Sequence, residues 1–110
     1  MGLTSLRNSR EFHAVYKRGR SVVTKFIVMY YKKNDLNENR IGISVSKKVG
    51  KAVVRNRVKR LIKEAFRLKA DSIGQGYDIV FVARVRMNRA TFNDTNREVN
   101  RVLKELRNSK

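Results

Sequence analysis

The chain has 110 residues, 41% of them apolar, enough for one domain (1–110) with a modest core and too apolar for a disordered basic tail. It has no cysteine and a single histidine, His13, which excludes disulfides and thiolate zinc sites and argues against a histidine-based metal site or catalytic dyad. Lys and Arg number 27 against 9 Asp and Glu, a formal charge of +18 that repels itself in the compact state and calls for a polyanion, most often nucleic acid for a small basic domain.

In chain order, Met1 to Arg7 lacks the long apolar stretch of a secretion signal, and no apolar run approaches a membrane span, so the cytoplasm is the expected location. Asn8 or Ser9 followed by Glu11 marks a helix start. Phe12, Val15 and Tyr16 then lie on one helix face, and Gly19 stands where a C-terminal cap belongs. Residues 21–32, rich in β-branched and aromatic side chains, predict a strand with Phe26, Val28 and Tyr30 on one face. After a polar turn, residues 40–46 alternate: Ile41, Ile43 and Val45 point one way, Gly42, Ser44 and Ser46 the other. These two strands are expected to pair as an antiparallel hairpin. A basic loop, 47–54, leads into a helix over about 56–69 with Val58, Leu61, Ile62, Ala65 and Phe66 as its apolar stripe. Gly74-Gln-Gly76 breaks the chain before a third strand, 77–85, apolar on both faces and therefore central. Thr91 and Asp94 form a capping box for a last helix carrying Val99, Val102, Leu103 and Leu106. The order is α-β-β-α-β-α, an α/β sandwich with a small central sheet packed by helices.

Ten basic residues fall between Lys47 and Lys69, with Glu64 the only acid among them. At about 100° per residue, Asn56, Arg60, Lys63 and Arg67 lie opposite the apolar stripe. One helix face is thus buried and the other is a cationic ridge, whereas a merely solvated face usually mixes signs. Lys offers phosphate a point charge, Arg a bidentate fork, and Asn56 an amide for a base edge, ribose or phosphate. The charge pattern alone does not separate RNA from DNA.

The run from Ser44 through Lys47-Lys-Val-Gly-Lys51 and Arg55-Asn-Arg57 to Arg67 closely resembles the signature of the bacterial ribonuclease P protein family. The similarity extends upstream to Glu11-Phe-His-Ala-Val-Tyr-Lys-Arg-Gly19, and the element order fits nearly the whole chain. The resemblance implies a partner to a large catalytic RNA which, with Mg2+, hydrolyses one phosphodiester bond of precursor tRNA and releases the 5′ leader. It implies contact with the catalytic RNA through the Arg-Asn-Arg region. The candidates are Lys47, Lys48, Lys51, Arg55, Asn56, Arg57, Lys59, Arg60, Lys63 and Arg67. It further implies a left-handed β-α-β crossover, and a cleft between sheet and first helix that holds the single-stranded leader. No protein partner, and no metal held by the protein itself, is implied.

Single-stranded RNA is commonly held by bases stacked on aromatic rings beside a cationic groove. Phe12 and Tyr16 on the helix, and Val28 and Tyr30 on the strand, make such walls if those faces meet, with Lys17 and Lys25 nearby. Aromatic residues at these spacings are also ordinary core, the reading favoured for Phe26. The resemblance matches Phe12, Tyr16 and Tyr30 to cleft positions, with Tyr16 where the family often has Phe. Small Ser44 leaves room for a backbone on the sheet. The acids are scattered, with no paired-carboxylate spacing, so no catalytic residues are expected in the protein. A ribosomal-type structural RNA-binding protein is the alternative. A self-sufficient nuclease and a helix-turn-helix DNA binder are weaker rivals.

Overall fold

The computed structural model describes residues 3–109; Met1, Gly2 and Lys110 lie outside the described residues. The elements are β1 (Leu3–Ser5), α1 (Ser9–Arg18), β2 (Arg20–Val23), β3 (Ile27–Lys33), β4 (Asn39–Ser44), α2 (Ala52–Arg67), β5 (Tyr77–Ala83) and α3 (Phe92–Asn108). Short 3-10 turns at Ala70–Ile73 and Val85–Arg89 flank β5. The expected α-β-β-α-β-α order is recovered, with a short β1 added in front and the first expected strand folded into two. One five-stranded sheet runs β1-β4-β5-β3-β2. α2 and α3 cover one face and α1 the other.

Two strand expectations need correction. Residues 21–32 are not one strand: Thr24 turns the chain, its Oγ1 accepting from the backbone N–H groups of Phe26 and Ile27. A hydroxyl does here what Gly or Asn does in commoner turns, so no Gly or Pro marks the hairpin. Phe26 therefore leaves the Val28–Tyr30 face and packs against the main core. The expected hairpin between 21–32 and 40–46 is also absent, because β5 lies between β3, its antiparallel neighbour, and β4, its parallel one. The central place expected for β5 holds; Ile79, Val80 and Phe81 are fully buried.

The main core joins Ile27, Met29, Ile79 and Phe81 of the sheet to Val58, Ile62 and Phe66 of α2 and Val99, Val102, Leu103 and Leu106 of α3. The Phe66 and Phe81 rings meet edge to face at 5.6 Å, a geometry worth about 0.5–1.5 kcal/mol beyond the buried area. α2 starts at Ala52, not near residue 56, so the end of the expected loop is helical. β-branched Val53 and Val54, and a Lys51 cap without a side-chain bond, hide that start. α3 begins at the expected box: Thr91 accepts from the Asp94 N–H and Asp94 from the Thr91 N–H. Gly19 closes α1 in extended backbone, not a left-handed cap. A Cβ there would stand 2.6 Å from the Val15 carbonyl oxygen and 2.7 Å from that of Tyr31, so close approach is what requires glycine.

Candidate nucleic-acid interface

α1 is capped by Asn8, whose Oδ1 accepts from the Glu11 N–H. The sheet beneath α1 is organised in rows, because strand partners point to the same face. The first row is ionic. Arg40 and Asp78 are register partners, and Arg40 grips both Asp78 oxygens, at 2.7 and 2.6 Å. Arg40 Nη1 reaches up to Glu11 Oε2 of α1 at 2.9 Å. Burial alone would raise the Asp78 pKa, but the Arg40 and Asn34 hydrogen bonds outweigh it and hold the carboxyl below its ordinary value.

The second row is Gly42, Val80, Tyr30 and Ser21, and α1 presses on it. A Cβ on Gly42 would meet the Phe12 ring at 2.4 Å, so the ring lies directly on the glycine. Val15 is buried with Val80, and Tyr16 meets Tyr30 edge to face at 4.9 Å. Phe12 and Tyr16 are 6.5 Å apart. Burial raises the Tyr16 phenol's pKa, and the neighbouring Ser44 hydroxyl works against it.

The third row, Ser44, Val82, Val28 and Val23, runs across four strands. Ser44, Val82 and Val28 are half-buried and Val23 is 61% exposed, so the row forms an open floor bordered by Tyr16 and Tyr30. Exposed Lys25 stands on the turn at its far end, a turn held by Arg84, which donates to the Thr24 carbonyl at 2.9 Å. The structure thus brings together Phe12, Tyr16, Val28, Tyr30 and Ser44. Lys17 is exposed on α1, and its side chain makes no hydrogen bond or ion pair among the described residues. Val82 and Val23 were missed. The alternation of Asp78, Val80 and Val82 on β5 was the available signal, masked by apolar residues on both faces.

The ten candidates on the α2 side sort into two groups. Lys47, Lys48, Lys51, Asn56, Lys59, Arg60 and Lys63 are exposed, and their side chains have no hydrogen-bond or ion-pair partner among the described residues. The other three are engaged. Arg55 Nε donates to the Gly50 carbonyl at 3.2 Å. Arg57 donates to the carbonyls of Asn88 and Ala90 at 2.7 and 2.9 Å, tying α2 to the 3-10 turn before α3. Arg67 pairs with Glu64 at 2.6 Å and lowers that carboxyl's pKa. The two surfaces are continuous. Lys59, Arg60 and Lys63 line one groove of about 330 Å³ with Ser5, Phe12 and Gly42, at the β1 edge of the sheet. Among the described residues, no three His, Cys, Asp or Glu side chains gather to hold a metal, and no helix is long and apolar enough to cross a membrane.

An open floor edged by aromatic rings, continuous with a strongly cationic helix, defines a small α/β RNA-binding protein. The family model for Ribonuclease P matches residues 3–107, and the chain belongs to that family. The ribonuclease P protein component of Caldanaerobacter subterraneus subsp. tengcongensis is 52% identical over 103 residues, covering 94% of this chain and 89% of its own. That of Clostridium kluyveri is 48% identical over 107 residues, covering 96% of each. Among solved structures, the Staphylococcus aureus RNase P protein superposes with a TM-score of 0.85 at 35% identity, covering 92% of this chain and 93% of the other. The Thermotoga maritima RNase P protein gives 0.79 at 32%, covering 94% and 96%. The ribosomal-type alternative has no support among these relatives.

Proposed function

We propose that the chain is the non-catalytic protein subunit of a cytoplasmic endoribonuclease whose active centre is RNA, with α2 lying on the catalytic RNA and the open row holding the 5′ leader of precursor tRNA. The observation that carries this reading is the uncovered Ser44–Val82–Val28–Val23 row beside Tyr16 and Tyr30. It offers a strip for an extended strand with rings at its border. The groove linking Phe12 to Arg60 and Lys63 lets one RNA surface run from leader to catalytic RNA. The Mg2+ that supports hydrolysis belongs to the RNA in this reading, and the protein's part is to neutralise phosphates and position the substrate.

Reconstitution with a ribonuclease P RNA tests it. The protein is expected to lower the magnesium needed for precursor cleavage, and purified protein alone is expected to leave precursor tRNA intact. Site-specific 5′ cleavage that follows the protein through purification would overturn the non-catalytic role. Tyr16→Ala is expected to cost the holoenzyme about 1–3 kcal/mol in precursor affinity, the worth of one stacked base, and to spare mature tRNA. An unchanged precursor-to-mature ratio would remove Tyr16 from the leader site.

A further inference from the structure

We infer that the groove between α2 and the start of α3 is a nucleotide pocket, in which Phe92 stacks on an unpaired base of the RNA that α2 holds. The groove is open to solvent and offers about 530 Å³. Leu61 and Phe92 supply apolar lining, and Arg60, Lys63 and Arg67 supply charge. Phe92 is 36% exposed and stands outside the core cluster, although it lies one helical turn before buried Thr95 and two before buried Val99 on the same face of α3. Among the described residues it makes no contact with another aromatic ring.

The backbone that carries it is held in place by the fold alone. Arg57 pins the Asn88 and Ala90 carbonyls, and the Thr91–Asp94 box sets the first turn of the helix that Phe92 opens. A backbone held in advance loses little freedom on binding. Glu64, the one acid in the lining, is matched by Arg67, so the pocket keeps a net positive charge. An apolar peptide has no use for these cations, whereas a nucleotide uses both parts: its base takes the ring and its phosphate the Arg60 and Lys63 side.

The inference rests on the α2 ridge lying on the catalytic RNA, and the test separates the two. The chain has no tryptophan, so Phe92→Trp installs a single indole. Titration of that variant with ribonuclease P RNA is expected to quench the indole and shield it from acrylamide at one equivalent. Phe92→Ala and Phe92→Leu are each expected to weaken binding about 5- to 150-fold with the salt dependence unchanged, and Phe92→Tyr to bind as the parent does. If Phe92→Ala unfolds, the contrast between Leu and Tyr decides. Equal affinity for Leu and Tyr variants, or an indole still open to acrylamide in the complex, would overturn the pocket while Arg60→Ala and Lys63→Ala still weaken binding. If those two variants also bind as the parent does, the α2 reading itself fails.

Discussion

At the residue scale, Arg40 shows how a charge among many acquires a fixed task. It spans the Asp78 carboxylate in the sheet and Glu11 on α1, and so sets how α1 lies over the Phe12–Gly42 contact. Asp78 is 1% exposed, and Arg40→Met leaves its carboxylate only the Asn34 hydrogen bond and Lys32 at 4.0 Å, at an expected cost of about 2–4 kcal/mol at neutral pH. The pH dependence has a definite sign. In the parent protein the Asp78 pKa is depressed on folding, so its stabilisation is present above the ordinary carboxylate range and is lost as pH falls through the lowered value. In Arg40→Met burial loses its main opponent and that pKa rises, so acid neutralises that charge. Urea melts at several pH values are expected to show the gap between parent and variant narrowing on acidification; a constant gap would assign the cost to packing alone.

At the element scale, α2 divides its cations between those tied to the fold and those without a protein partner among the described residues. Arg60→Ala and Lys63→Ala are each expected to lower the log–log salt slope of catalytic-RNA binding by about 0.7–0.9, one phosphate's worth, with little change in melting temperature. Arg57→Ala is expected to be less stable by about 1–3 kcal/mol and therefore to melt earlier, since two carbonyls lose their donor. Calorimetry of the three free proteins checks that division. The ridge was legible in the sequence because a strongly cationic helix face is a local pattern, as were the capping box of α3 and the alternation of β4. Arg57's partners were not legible, since Asn88 and Ala90 lie some thirty residues on. The pairing of β3 with β5 was hidden for the same reason. The Thr24 turn was local yet silent, because a hydroxyl replaced the glycine that usually marks such a corner. The open row needed all four strands in register before its exposed residues could be told from core.

At the scale of the whole molecule, a charge of +18 on so small a body is a standing destabilisation that bound anions relieve. Low-millimolar pyrophosphate is expected to raise the thermal midpoint by more than sodium chloride of equal ionic strength, because it occupies sites as well as screening. Saturation at about 100-fold above its Kd corresponds to about 2.7 kcal/mol. Equal shifts from both salts would show screening alone.

The position of β5 also bears on how the chain is made. The last strand in sequence is the middle strand in space, and its ladder with β3 joins residues on the order of fifty positions apart. During synthesis β1 and β4 can assemble at one side and β2 with β3 at the other. The two parts have no shared edge until Tyr77–Ala83 leaves the ribosome. For most of its translation the nascent chain is therefore an unclosed polycation emerging beside the ribosome's own RNA, and closure waits for a keystone delivered near the end.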